Sequence, residues 1–385
     1  MTEKVRTIEK DTLNEVRKQR KHICFCGDET ALMELMKDER KCLCCAYGER
    51  LAMIRECVSV NSLYDPRYTE EAESCIAASE YIVLYGVEKM SAREFDTFAE
   101  FVFSSNENVT LILSGDFRTR VSCAANEYSS ARDSEHWKRL AFVTVEFERE
   151  DADTELQRAI ELIADGDFSG AEWINEHCLK VRDRDAVRVT STNSAAAIIN
   201  EACKDNALKE YVYPEGLASG NVKAKIEGEI DESDTPIPLS MYVHEYQQMM
   251  TVIFPHRESP YKAGGYIGSL HLHEPDMFML SIKKLELNIY FARVAFEKRV
   301  PQYCVNEFGE GEVGSRTVGR IVQYPMIPAN AASLEQTDRI LLDKVEIDPT
   351  TTMQGELCAL LSRCRSVEGI YLTRPIRPED LKADK

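Results

Sequence analysis

The chain has 385 residues and a formal net charge of −19, from 47 lysines and arginines against 66 aspartates and glutamates. This length predicts two or three domains, and the acidic balance argues against a protein that mainly coats phosphate backbones, because such proteins usually present a basic face. No apolar run approaches the ~18 residues of a membrane-spanning helix. The 13 cysteines, without an apolar signal segment, predict free thiols in a reducing, intracellular compartment.

The first part of the chain alternates apolar runs with helical segments. Residues 7–22 are predicted to form a helix, followed by a short strand at 23–26 and a helix around 31–36. Further strands are predicted at 42–46, 81–84 and 109–113. Strands that alternate with helices predict a parallel sheet covered by helices on both faces.

A second unit of the same type is predicted to begin near residue 140. Residues 154–164 have helical spacing, 187–190 form a predicted strand, and 222–234 are a charged connection. Residues 237–317 differ, because short β-rich runs are separated there by Pro and Gly. This pattern predicts a small β-barrel insertion, after which the α/β pattern returns at 318 and continues to the end.

Two cysteine clusters invite comparison with zinc sites. They are Cys24 with Cys26, and Cys42 with Cys44 and Cys45. Their spacing differs from the C-x-x-C of common zinc knuckles, and residues two apart in a strand point to one face. We therefore interpret these cysteines as buried small hydrophobic side chains. No metal and no other cofactor is expected.

Five segments carry short motifs in a fixed order along the chain. The first is CGDET at 26–30, directly after the first apolar strand. The second and third are CLCCAYGERLAMIRECVSVNS at 42–62 and IVLYGVEKMSAREFD at 82–96. The last two are LILSGDFRTRV at 111–121 and GELCALLSRCRSVEGI at 355–370.

In their order and spacing these segments resemble the superfamily-1 DNA helicases of the petite integration frequency family, which are relatives of RecD, over roughly residues 8–375. The resemblance implies an α/β fold of two RecA-like, P-loop-type domains, with a small SH3-like β-barrel inserted in the second. It implies a first domain at 1–138 that has a degenerate phosphate loop and a trimmed wedge subdomain. The second domain is expected at 139–234 and 318–385, and the barrel at 235–317.

The family's phosphate loop, G-x-x-x-x-G-K-[ST], holds phosphates with backbone N–H groups and a lysine. The corresponding positions here are Gly27, Asp28, Glu29 and Thr30, which include one glycine and no lysine. Asp28 and Glu29 bring negative charge to the place where phosphates would lie. Thr30 is the only hydroxyl left in the loop to contact magnesium.

The resemblance also implies that the acidic residues needed for hydrolysis are replaced. In the family an Asp-Glu pair holds magnesium and activates the attacking water. Aligned without a gap, this pair falls on Tyr85 and Gly86. A glutamine that senses phosphate falls on Thr119. The preceding Gly-Asp-Phe at 115–117 is retained, although such a turn after a strand is common in many folds.

Two further positions belong to the implied nucleotide site. Residues 333–339 (SLEQTDR) align with the family's Thr-Ile-His-Lys-Ser-Gln-Gly and include Asp338. Arg363 stands where the family places a phosphate-facing arginine. It is either such an arginine finger or a structural ion-pair residue. We favour the ion pair, because a finger has a role only when nucleotide is bound.

A groove for single-stranded nucleic acid across the two domains is also implied, since such grooves combine basic residues with stacking aromatics. The family histidine associated with the DNA strand is replaced by Asn61, and Thr192-Asn193 matches a family signature that also suits a helix N-cap. The basic residues fit a solvated surface equally well. The groove positions are Asn61, Lys138, Arg139, Arg182, Arg184 and Asn193.

The replaced residues are those that bind and cleave nucleotide, whereas the apolar periodicity is kept. This pattern favours a catalytically inactive helicase-like protein, a pseudohelicase, with protein partners in a larger assembly. One alternative is an ATP-independent single-stranded nucleic-acid binder in DNA or RNA maintenance, and another is a divergent active 5′–3′ DNA helicase. Nucleic acid is thus a second, less favoured partner, and no membrane partner is expected. The resemblance implies nucleus or mitochondrion, with cytoplasm as the alternative.

Overall fold

The structure of the chain is a computed structural model. It describes residues 4–5, 10–26, 29–36, 39–117, 129–146, 153–203, 210–213, 217–218, 235–238, 241–253, 264–274, 277–305, 309, 311–338, 340–351 and 353–381. The predicted charged connection at 222–234 lies outside these residues.

The first half of the described chain builds a parallel sheet. Its strands are β1 (Lys4–Val5), β2 (His22–Cys26), β3 (Cys42–Ala46), β4 (Val58–Ser59), β5 (Tyr81–Tyr85), β6 (Thr110–Ser114) and β7 (Phe142–Glu146). They lie in the order β1-β7-β2-β6-β5-β3-β4 and pair in parallel. Every residue of β5 and β6 is buried, as expected for central parallel strands covered on both faces.

Helices connect and cover these strands. They are α1 (Lys10–Lys18), α2 (Glu29–Met36), α3 (Glu49–Arg55), α4 (Val60–Tyr64), α5 (Thr69–Ala78), α6 (Ala92–Ser105) and α7 (Glu135–Arg139). The start of α6 is fixed by a capping box, in which Ser91 and Glu94 exchange side-chain and backbone hydrogen bonds. Phe95, Phe98 and Val102 of α6 are buried in the core of this unit. The predicted α/β class with a parallel sheet is confirmed.

The remaining strands include long antiparallel ones. They are β8 (Val187–Thr190), β9 (Glu210–Tyr213), β10 (Leu217–Ala218), β11 (Met241–His244), β12 (Gln248–Thr251), β13 (Ile267–Glu274), β14 (Met277–Ile282), β15 (Leu287–Phe291), β16 (Val294–Val305), β17 (Gly311–Gln323), β18 (Met326–Pro328), β19 (Ala331–Ser333), β20 (Val345–Ile347) and β21 (Ile370–Leu372). The helices are α8 (Thr154–Ala164), α9 (Phe168–Cys178), α10 (Asn193–Ala202) and α11 (Glu356–Leu361).

The second unit has a parallel sheet in the order β19-β8-β20-β21. A separate antiparallel sheet, in the order β15-β14-β13-β12-β18, packs into the same apolar core. The predicted SH3-like barrel at 235–317 is not confirmed as a closed unit. Its strand β12 pairs with β18 at 326–328, and the hairpin of β16 and β17 belongs to the sheet of the first unit. The domain boundaries stay a prediction.

The β16–β17 hairpin connects the two units. Near its base, Phe296 and Ile321 are buried in the core of the second unit. Further along, Arg299 pairs with Val58 of β4, and Val300 and Val318 pack against Tyr68. The 12 residues of β16, at about 3.3 Å each, give the hairpin the reach to contact both units.

The predicted cysteine clusters lie in β2 and β3. Cys24 and Cys45 are buried, Cys26, Cys42 and Cys44 are half-buried, and the Cys42 and Cys44 Sγ atoms are 3.8 Å apart. Within the described ranges, His, Cys, Asp and Glu side chains form no group arranged to hold a metal ion. No helix in the described part of the chain has the length and apolarity needed to cross a membrane.

Candidate functional site

The carboxyl end of β5 carries a tyrosine and a glycine. The Tyr85 side chain is 2% exposed, and its carbonyl accepts a hydrogen bond from the Tyr47 N–H at 2.9 Å. Gly86 has φ +80° and its N–H donates to the Ser114 carbonyl at 2.9 Å. A Cβ atom at position 86 would lie 2.9 Å from Leu51 Cδ2. The strand end is therefore closely packed, and neither residue offers a carboxylate to a cation or a water.

A buried glutamate lies just beyond this strand end. Glu88 is 2% exposed and follows Gly86 in a 3-10 helix at Val87–Lys89. A Cβ atom at position 115 would come within 2.4 Å of Glu88 Oε2 and 3.0 Å of the Glu88 backbone nitrogen. The glycine of the retained Gly-Asp-Phe segment thus has a definite role. It leaves room for a buried carboxyl group that the sequence motifs do not indicate.

Next to Glu88, a chain of charges crosses from the first unit to the second. Lys89 Nζ lies 2.6 Å from Asp338 Oδ2, and the Arg363 guanidinium lies 3.9 Å from Asp338 Oδ1. The side chains of Asp338 and Arg363 are 16% and 9% exposed. Partly buried charges are screened less by salt than exposed ones. Asp338 therefore supplies a shielded negative charge to cations of both units.

A second ion pair lies on the same boundary. Arg50 of α3 is 3.7 Å from Glu335, and Asn193 Nδ2 donates to the other Glu335 carboxylate oxygen at 2.8 Å. Burial lowers the pKa of Arg50, and the nearby Glu335 and Asp338 oppose that shift. The guanidinium stays charged at neutral pH, since arginine is not deprotonated in proteins.

Helix α3 also makes an apolar contact across the boundary. Met53, one turn from Arg50 on the same helix face, is 2% exposed and belongs to the apolar cluster that contains Phe296 and Ile321 of the hairpin and the core of the second unit. Glu49 at the start of α3 accepts a hydrogen bond from the Ser59 hydroxyl, and Lys298 of β16 lies 3.8 Å away. One short helix thus contacts the second parallel unit and the connecting hairpin.

The fold was compared with known proteins. A crystal structure of a Bacteroides Pif1 helicase double mutant matches with a TM-score of 0.79 at 17% identity, over 98% of this chain and 95% of that chain. Pif1 helicase from Candida albicans matches with a TM-score of 0.65 at 14% identity, over 98% of both chains. The chain has the fold of the Pif1 helicases. Bacteroides Pif1 bound to ssDNA, with 16% identity and the same coverage as the double mutant, gives a lower TM-score of 0.59.

Sequence comparison gave no further relatives. No protein-family model matches the chain, and no curated protein matches it. The likeness to Pif1 helicases is therefore one of fold.

Several predicted nucleotide-site positions of this Pif1-like fold cannot be placed. Gly27, Asp28 and Thr119 lie outside the described residues, as do the side chains of Glu29 and Thr30, which begin α2. The prediction for these positions is untested.

The structure brings together only some of the other predicted residues. Asp338 contacts Arg363, and Asn193 contacts Glu335 in the same boundary region. Lys138 and Arg139 are exposed on α7 of the first unit, where Lys138 pairs with Glu135. The remaining predicted groove residues lie elsewhere on the surface. Asn61 is exposed in α4, and Arg182 and Arg184 are exposed between α9 and β8.

The motif comparison missed Arg50, Lys89 and Glu88. Lys89 and its partner Asp338 are separated by 249 residues, and no local pattern marks such a pair. The only sequence signal was indirect. It was the alignment of 333–339, which contains Glu335 and Asp338, with the family's Thr-Ile-His-Lys-Ser-Gln-Gly.

Proposed function

We propose that the chain is a catalytically inactive helicase-like protein that serves as a structural or assembly subunit of a larger complex. The observation that carries this proposal is the end of β5. Tyr85 and Gly86 stand there at the positions that the family resemblance assigns to an Asp-Glu pair. Phosphoryl transfer depends on carboxylates that hold the metal and on a group that positions the nucleophile. Neither position can provide one.

The conformation of Gly86 supports the proposal. Its φ of +80° is one that residues with a side chain rarely adopt, and the left-handed region costs such a residue about 1–2 kcal/mol. A glutamate at this position would also displace Leu51 Cδ2. The local backbone therefore suits a glycine and disfavours the side chain that a catalytic role needs.

The charges at the boundary also support the proposal. Lys89 and Arg363 lie against Asp338, and Arg50 lies against Glu335. A nucleotide phosphate that approached these cations would meet the two carboxylates as well. Like charges repel most strongly where water is excluded, so binding a phosphate there would first require these ion pairs to separate.

Titration calorimetry with Mg-ATP tests the loss of nucleotide binding. The Bacteroides Pif1 helicase, which has been crystallised with ADP-AlF4, serves as the positive control. We expect no saturable heat from this chain, and phosphate release at background with or without single-stranded DNA. Saturable binding below about 0.1 mM, or about −5.5 kcal/mol, together with phosphate release above background, would refute the proposal.

Native purification tests the role as a subunit. A tagged chain of 43.8 kDa is purified from its own source and sized before and after nuclease treatment. We expect a larger particle with a fixed protein stoichiometry that nuclease leaves intact. Elution as a monomer would refute the subunit role. A particle that nuclease disperses would favour the nucleic-acid-binding alternative.

A further inference from the structure

The boundary between the two parallel units is closed by charges from both sides. The first unit contributes Lys89 and Arg50, and the second contributes Asp338, Glu335 and Arg363. These five residues are called the latch below. Asp338 is the central member, because its two carboxylate oxygens face cations from different units.

We propose that the latch holds the two units in one fixed arrangement that does not depend on bound nucleotide. An anionic ligand between two units can join them by attracting cations on both sides. Here a side chain of the protein has that role, and the Asp338 carboxylate is always present. The inference concerns the placement of the units and stands apart from the loss of ATP hydrolysis proposed above.

Partial burial makes the latch more effective than ordinary surface ion pairs. Exposed pairs contribute little, because water and salt screen them. Arg50 is 13% exposed and Arg363 is 9% exposed, so their charges act in a less polar environment. Removing one member would take a counter-charge away from a partly buried charge, which costs more than the loss of a surface pair.

Apolar contacts and strand pairing limit how one unit can rotate relative to the other. Met53 of α3, one turn from Arg50, is buried in the apolar cluster that the hairpin shares with the second unit. The β16–β17 hairpin pairs with β4 at one point and contributes Phe296 to the second core. The latch, the helix and the hairpin contact different parts of the boundary. Rotation of one unit relative to the other would have to break more than one of these contacts.

The fold comparison gives different scores for two Bacteroides Pif1 structures. The two Bacteroides structures match this chain over equal lengths but with different TM-scores. The chain shares its overall arrangement more closely with the double mutant than with the form bound to ssDNA. We assign no cause to this difference.

Single-molecule energy transfer between dyes on the two units tests the latch. The dyes are attached to non-natural amino acids at Glu100 on α6 and Glu172 on α9, which are both exposed. For the parent chain we expect one narrow distance distribution that Mg-ATP does not change. For Asp338→Asn we expect a second population that grows from below about 1% to above about 10%.

Two further single variants and one double variant complete the test. Asp343→Asn breaks the exposed Lys284–Asp343 pair and should leave the distribution unchanged. Lys89→Gln alone should also increase the second population of the distance distribution. In the double variant with Asp338→Asn, the further increase should be smaller than the effect of Lys89→Gln alone, because the two side chains share one contact. Circular dichroism verifies that each variant is folded.

The proposal fails under any of three outcomes. The first is that Asp338→Asn gives the same distribution as the parent. The second is that Asp343→Asn opens the units equally, and the third is that Mg-ATP narrows or shifts the parent distribution. ATP that bound without changing the distance would contradict the loss of nucleotide binding expected above and leave the latch supported.

Discussion

Replacing Gly86 with alanine should destabilise the first unit by about 2–5 kcal/mol, the sum of a conformational and a packing cost. The backbone at this position has φ +80°, and the left-handed conformation costs an alanine about 1–2 kcal/mol. The new Cβ would lie 2.9 Å from Leu51 Cδ2, in a core where Leu51 is 6% exposed. Overpacking of this kind costs about 1–3 kcal/mol. Urea unfolding followed by circular dichroism measures the sum, and the slope of the transition should be unchanged.

Gly309→Ala is the matched control for the cost of the left-handed backbone conformation. Gly309 also has φ +80°, but no atom of the described residues lies within 4 Å of the position its Cβ would take. It should therefore cost only the ~1–2 kcal/mol of the conformation. Combining Gly86→Ala with Leu51→Ala should cost less than the sum of the single changes, because the clash is gone. If Gly86→Ala costs no more than Gly309→Ala, the packing argument is wrong, and a glutamate at position 86 would be tolerated better than proposed.

Two other predictions concern pH and nucleic acid. Burial lowers the pKa of His22 to about 4, whereas an unfolded histidine has a pKa of ~6.5. As the pH falls, the unfolded state therefore takes up the proton first. The free energy of unfolding should decrease by about 2 kcal/mol between pH 7 and pH 5. His22→Asn keeps an acceptor for the Leu111 N–H, and urea titrations at pH 7 and pH 5 should show a smaller loss of stability for this variant. An equally large loss would show that His22 is not the group responsible. Labelled single-stranded DNA and RNA should bind more weakly than about 1 µM at ~0.15 M salt, because the net charge of −19 opposes a polyanion. Tighter binding with a steep salt dependence, measured by anisotropy, would favour the ATP-independent binder.

The sequence predicted the elements whose signals are local. The apolar run at 81–84 indicated a strand, and the structure contains it as the buried β5. The helix predicted at 154–164 is α8 (Thr154–Ala164), with Leu156, Ile160 and Ile163 buried. Such signals are readable because strand alternation, helix periodicity and capping each depend on neighbours only a few residues away.

The β-rich block shows where local signals were insufficient. The sequence indicated strands between 237 and 317 but could not assign their partners. In the tertiary structure β12 pairs with β18, and the β16–β17 hairpin joins the sheet of the first unit. Strand pairing depends on which distant segment offers a free edge, and composition does not encode that choice.

The sequence by itself placed Tyr85 and Gly86 at the end of a predicted strand and Asp338 in the segment 333–339, and the family resemblance made all three predicted nucleotide-site positions. Only the tertiary structure decided what these residues contact. It folds Gly86 into a left-handed turn against Leu51 and places Asp338 between Lys89 and Arg363. The physical reason is distance along the chain. An ion pair depends on positions in space, and the 249 residues between Lys89 and Asp338 are brought together only when both sheets have formed and docked.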